Sequence, residues 1–385
     1  MVGVDAQDDR AGRAEIDAIL TEAVQGRRIT EEEALFLLRN GELNQLAQAA
    51  DAIRNRMNDP HVVTYIVDRN INYTNICIYK CKFCAFYRKP GDPEGYLLSR
   101  DQLRQKIQET VDLGGTGVLL QGGVHPDLPL EYYTDLLAWM RDEFPDVHRH
   151  AFSPPEILYI SRFTKKPLLE VIGALIDAGL QSIPGGGAEI LVDRVRLETL
   201  AYPKASTEGW LGVMRTGHQL GLRTTATMMF GAGESLEDRV EHLRRIRELQ
   251  DETGGFTAFI AWTFQKENTE MQEIEEESGF SYLRHQAVAR IYMDNIRSIQ
   301  SSWVTQGLAV GQMALKFGAN DMGSIMIEEN VVAAAGARNH VSTDEMKILI
   351  REAGYEPMQR LTLYQGYVDE TTHERVDQEA GALVR

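Results

Sequence analysis

The chain has 385 residues, of which 43% are hydrophobic and 25% charged, and its formal net charge is −17. That composition fits a globular protein with a sizeable core and excludes a disordered or collagen-like chain. The excess of 57 acidic over 40 basic residues excludes a broad attraction to nucleic acid phosphates or anionic lipid. No apolar run has the length of a membrane span, and the polar residues 1–17 lack the basic-then-apolar pattern of an export signal. The expected location is therefore the cytoplasm, with no membrane or nucleic acid partner.

The first dozen residues are polar and small, the composition of a disordered lead. Residues 14–58 then repeat apolar side chains at helical spacing, and Thr30 with Glu33 has the spacing of a capping box, so an N-terminal helical layer is predicted. From about His61, short β-prone runs alternate with amphipathic stretches, the pattern of a parallel sheet with crossover helices. Strand candidates are 62–67, 117–121, 148–152, 182–183, 223–230, 256–264, 299–304 and 324–327. Helix candidates between them are 100–113, 131–144, 167–178, 207–220, 236–253 and 282–297. About eight such units predict an α/β chain folded as a (β/α)8 barrel. The expected divisions are a helical extension over 1–58, the barrel over 59–336, and a C-terminal helical extension with a polar tail over 337–385.

All three cysteines, Cys77, Cys81 and Cys84, lie in the segment NYTNICIYKCKFCAFYRK, directly after the first strand candidate. Three cysteines so placed do not make a disulfide framework. Thiolates are the usual ligands of iron–sulfur clusters, and three of them hold a [4Fe-4S] cubane with one iron left open to a small ligand. A zinc knuckle is the competing reading, although such knuckles usually pair two short two-ligand clips. Inert buried thiols are another, and the neighbours Lys80, Lys82, Tyr87 and Arg88 make the loop too polar for it.

The CxxxCxxC spacing after a first strand resembles the signature of the radical S-adenosylmethionine superfamily. The segments VDRNINYTNIC, KCKFCAFYR, LLQGGVHPDLPLEYY, FSPPEI, SIPGGGAEILVDRVR, TTATMMFG, FTAFIAWTFQ and NDMGSIMIEENVVAAAG are together similar to the dehypoxanthine futalosine cyclases of the futalosine route to menaquinone. The likeness runs over about residues 62–336. It implies a TIM-like radical SAM barrel with a [4Fe-4S] cluster on the three cysteines and S-adenosylmethionine at the open iron. Cleavage to a 5′-deoxyadenosyl radical is implied, then abstraction of the ribose 4′ hydrogen of dehypoxanthine futalosine and radical attack on its benzoate ring. Loss of one electron and one proton then gives the cyclic product. A flavodoxin or ferredoxin is the implied electron donor. Aminofutalosine synthase and deazaflavin-synthase-like enzymes are the rival readings.

Barrel active sites form at the C-terminal ends of the strands, so the residues there are the candidates. Phe83 either lies near the adenine of the cofactor or packs the loop. Gln121, Gly122 and Gly123 either admit the cofactor closely or form a turn. Ser153 and Glu156 either accept hydrogen bonds from a ribose diol or cap a helix after the stiff Pro154 and Pro155. Gly186 and Gly187, in a triple glycine with Gly185, allow backbone approach to a bulky substrate. Arg194 suits a substrate carboxylate and is also a partner for Glu189 in an internal ion pair. Trp262 frames the adenine or the benzoate ring, or packs the core. Asn320 belongs to the segment that closes the barrel, a further place for substrate. His125, Glu189 and Asp321 are the residue types able to take the proton that the cyclisation releases.

Overall fold

A computed structural model describes residues 5–200, 204–369, 371, 372 and 374–377. The N-terminal layer consists of α1 (Asp5–Val24), α2 (Glu31–Asn40) and α3 (Leu43–Met57). Thr30 and Glu33 complete the capping box: each side chain accepts from the other's backbone N–H, at 3.2 and 2.8 Å. Ala34, Leu37 and Leu38 on α2, and Leu46, Ala50 and Ile53 on α3, are buried, so each helix docks by one apolar stripe. Helix α1 begins at Asp5, inside the lead whose composition suggested disorder.

The strands β1 (Val62–Ile66), β2 (Asp68–Ile71), β3 (Gly117–Leu120), β4 (His148–Ala151), β5 (Ser182–Ile183), β6 (Arg223–Phe230), β7 (Phe256–Thr263), β8 (Ser298–Gln300), β9 (Asp321–Ser324) and β10 (Glu356–Gln359) form one sheet in the order β10-β1-β9-β8-β7-β6-β5-β4-β3-β2. Only Val67 separates β1 from β2, yet β1 pairs in parallel with β9 while β2 pairs in parallel with β3. One bent strand therefore joins the two ends of the sheet and closes it into the expected TIM-like barrel. Helices α4 (Arg100–Asp112), α5 (Leu130–Glu143), α6 (Pro154–Thr164), α7 (Leu168–Ala178), α8 (Thr207–Gln219), α9 (Leu236–Thr253) and α10 (Gly279–Tyr292) connect the strands.

Some elements differ from the sequence reading. Residues 154–164 form α6 because Ser153 and Glu156 make a capping box and two prolines occupy the first helical positions, where no N–H is needed. The eighth strand candidate, 324–327, is displaced to 321–324. The seventh, 299–304, shortens to 298–300 because Trp303–Gln306 turns helical. Beyond residue 336, a helix (Thr343–Glu352) leads into β10, which adds to the sheet beside β1, and β11 (Gly366–Val368) pairs with β12 (Arg375–Asp377), the latter inside the polar segment from about residue 369 read as a tail. Among the described residues no helix is long and apolar enough to cross a membrane.

Candidate active site

Strand β2 runs directly into the loop that carries the cysteines. That loop is laced to the end of β3: Gly123 N donates to Thr74 O at 2.8 Å, and Ile78 N donates to Val124 O at 3.0 Å. A Cβ on Gly123 would stand 2.3 Å from Ile76 O, and one on Gly122 would stand 2.8 Å from the Tyr73 ring. The paired glycines are therefore needed for the close approach of the cysteine loop.

The three thiols are free of disulfides. Burial pushes the Cys81 thiol up to about 12, against the pull of the Lys204 ammonium. Burial also raises Cys77, opposed by the backbone N–H groups of Val124 and Tyr79, and Cys84, opposed by those of Tyr87 and Phe86. Bare thiolates are disfavoured in such a place, whereas thiolates bound to a metal centre are stabilised by its charge. The chemistry of the three-thiol donor set thus fits an iron–sulfur cluster.

Lys204 brings a cation to this cradle, and nothing in the sequence pattern singled it out. Its Nζ lies 2.8 Å from Glu189 Oε1 and 5.3 Å from the centroid of the Phe83 ring. Burial alone would lower its pKa, but Glu189 and Cys81 outweigh burial and raise it. Glu189 itself has a positive φ of 40°. Among the described residues its buried Oε2 has no hydrogen-bond partner, the Arg196 guanidinium standing 3.9 Å away. The expected pair of Glu189 with Arg194 does not form, because Lys204 takes that place. Arg194 is 60% exposed and meets Asp238 at 2.6 Å instead.

Residues 71–246 match the family described as the Radical SAM superfamily, and residues 253–373 match the CofH/MqnC C-terminal region. A protein named cyclic dehypoxanthine futalosine synthase, from Halalkalibacterium halodurans, is 47% identical over 91% of this chain and 94% of its own. The chain belongs to the radical SAM superfamily. A second protein of the same name, from Streptomyces coelicolor, is 45% identical over 95% of this chain and 93% of its own. Among solved structures, methylornithine synthase (PylB) shares the fold with a TM-score of 0.69 at 19% identity, covering 89% of this chain and 97% of that one.

Within this radical SAM barrel the remaining candidates fall into separate settings. Gln121 and Gly186 face one another across the barrel mouth, since a Cβ on Gly186 would meet Gln121 Nε2 at 2.2 Å. Gly187 has a φ of 82° and leaves no room for a side chain beside the Pro155 ring. Trp262, half-buried, is paired in register with Met229 of β6. His125 is half-buried on the loop after β3, where its Nδ1 accepts from Asp127 N at 3.1 Å and burial lowers its pKa.

Other candidates have their polar atoms occupied by the protein. Glu156 is buried and accepts from Ser153 N at 2.7 Å, Ser153 Oγ at 2.5 Å, Tyr73 Oη at 2.6 Å and Gly122 N at 3.3 Å. Those donors use the acceptor sites of its two oxygens. Asn320 turns away from the barrel interior, its Oδ1 accepting from Arg290 at 2.8 Å and from Ile299 N at 2.9 Å. Asp321 is fully buried in a two-pronged pair with Arg360, at 2.5 and 3.2 Å.

Proposed function

We propose that this chain converts dehypoxanthine futalosine to cyclic dehypoxanthine futalosine, a step of menaquinone biosynthesis, by removing the ribose 4′ hydrogen and joining that carbon to the benzoate ring. The observation that carries the reading is the 47% identity, across almost the whole chain, to a protein of that name. The thiol cradle supports it.

Cys77, Cys81 and Cys84 would hold a [4Fe-4S] cluster through three irons. When bound, the cluster and S-adenosylmethionine supply a primary carbon radical that removes hydrogen from the substrate. Phe83, Gln121, Gly122, Gly123 and Trp262 would border the cofactor, and Lys204 would balance negative charge at the thiols. Ser153 and Glu156 serve it indirectly, by locking Tyr73 and Gly122 in place. Gly186 and Gly187, whose missing side chains make room for Gln121 and the Pro155 ring, let the backbone approach the substrate, and the exposed guanidinium of Arg194 is free to leave Asp238 for a substrate carboxylate. A flavodoxin or ferredoxin supplies the electron.

Anaerobic reconstitution with iron and sulfide, followed by incubation with S-adenosylmethionine, dithionite and dehypoxanthine futalosine, tests the reading. The expected outcome is 5′-deoxyadenosine together with a product two mass units lighter than the substrate. Deoxyadenosine without the lighter product would remove the substrate assignment and leave the radical chemistry.

A further inference from the structure

Cyclisation releases a proton, and the residues that residue type suggests for it are engaged elsewhere. Asp321 is shared by Arg360, the Thr64 hydroxyl and Gly323 N. Glu189 is paired with Lys204. His125 uses one ring nitrogen on its own loop.

Asp68 is different. On β2, Arg69 turns outward to Glu109 of α4 at 2.8 Å, so its neighbours Asp68 and Asn70 turn into the barrel. The Ser324 hydroxyl donates to Asp68 Oδ1 and is itself fixed by Met326 N at 2.8 Å. Among the described residues no donor meets Asp68 Oδ2, and the residue is half-buried. One pleat further along, Asn70 is 7% exposed and its Nδ2 donates to Glu329 at 2.9 Å, while its buried Oδ1 has no partner among the described residues. Two free acceptors thus stand on one face of the strand that leads to the cysteines.

We propose that Asp68 is the general base of the cyclisation, taking a proton from the substrate ring through Oδ2, with the neighbouring Asn70 accepting a hydroxyl of the substrate sugar. This rests on the reading of the chain as a cyclase. Addition of the 4′ carbon radical to the benzoate ring forms the new carbon–carbon bond and leaves a cyclohexadienyl radical with one tetrahedral C–H. That C–H bond breaks, its proton passes to Asp68 Oδ2, and its electron pair restores the aromatic ring. The remaining unpaired electron leaves to a one-electron acceptor of the iron–sulfur class.

The surroundings suit the task. Burial raises the Asp68 carboxyl to about 6, with Ser324 and Arg360 drawing it down and Asp321 pushing it up. That places it near the working pH of a general base. Two strands away on β4, His148 and His150 share the Ser182 hydroxyl at 2.8 and 2.6 Å, and burial drops them to about 4 and 3, so they add no positive charge there. Glu329, beyond Asn70, is raised by burial as well.

The test is Asp68→Asn in the reconstituted protein, measured beside the parent for deoxyadenosine, cyclic product and their pH dependence. The variant is expected to form deoxyadenosine within about threefold of the parent while cyclic product falls by about 100-fold or more. The acid limb of product formation, centred near pH 6 in the parent, disappears with Asp68. Product within about threefold of the parent, or equal losses of deoxyadenosine and product, overturns the assignment. A parent that forms deoxyadenosine and no cyclic product overturns the cyclase reading itself, and Asp68 falls with it. If Asp68→Asn does not load its cluster, Ser324→Ala decides, since it keeps the carboxylate and removes its orienting bond. A product loss of about tenfold with deoxyadenosine retained is then expected, and an unchanged product yield overturns the role.

Discussion

The hydroxyl of Tyr73 donates to Glu156 at 2.6 Å, joining residues 83 positions apart. The same carboxylate accepts from Ser153 at the start of α6 and from Gly122 at the end of β3. One buried acid therefore fixes the entry to the cysteine loop against two strand ends. Tyr73→Phe removes one donor and leaves the carboxylate satisfied, so it is expected to cost about 1–2 kcal/mol, read from the urea midpoint. Glu156→Ala strands several donors at once and is expected to cost about 3 kcal/mol or more.

The same carboxylate gives a pH signature. Burial raises Glu156 to about 7 from its ordinary 4.5, despite the bonds from Ser153, Tyr73 and Gly122. Between those values the folded protein holds a proton that the unfolded chain has lost. Its contribution is complete below about pH 4.5 and is lost as pH rises through 7. Glu156→Gln, neutral at every pH, is expected to flatten the fall of the urea midpoint across this window relative to the parent.

Lys204 and Glu189 are both nearly buried, with 12% and 7% of their side chains exposed. Lys204→Met leaves a buried carboxylate facing thiols, at an expected cost of about 3–5 kcal/mol. In the double variant with Glu189→Gln the two costs are expected to be less than additive, as a double-mutant cycle of chemical denaturation measures.

Gly123→Ala places a methyl group 2.3 Å from the Ile76 carbonyl, a backbone atom that yields only if the cysteine loop moves. The expected result is a folded barrel that binds well under half the parent's iron and sulfide. Gly114→Ala, at a φ of 81° with open space around it, is expected to strain its own turn and leave the metal content unchanged.

The barrel was legible because its strands are short apolar runs between amphipathic helices, and the cluster because its thiols are adjacent in sequence. The later elements were harder to place. Strand β10 is Glu356–Gln359, with one exposed and three half-buried residues, so no apolar alternation marks it. Lys204 sits in an unremarkable stretch, and only the fold carries it to the thiols. Asp68 and Asn70 are polar residues inside a strand, where they weaken the apolar signal that identifies strands. Glu156 was legible as a helix cap but not as a partner of Tyr73, since that contact depends on how β2, β3 and α6 converge.

The most direct measurement uses dehypoxanthine futalosine carrying deuterium at the ribose 4′ carbon. The reconstituted protein should yield 5′-deoxyadenosine one mass unit heavier and a cyclic product without the label, because the radical takes that hydrogen. Unlabelled deoxyadenosine beside a cyclic product that keeps its deuterium would contradict abstraction at the 4′ carbon.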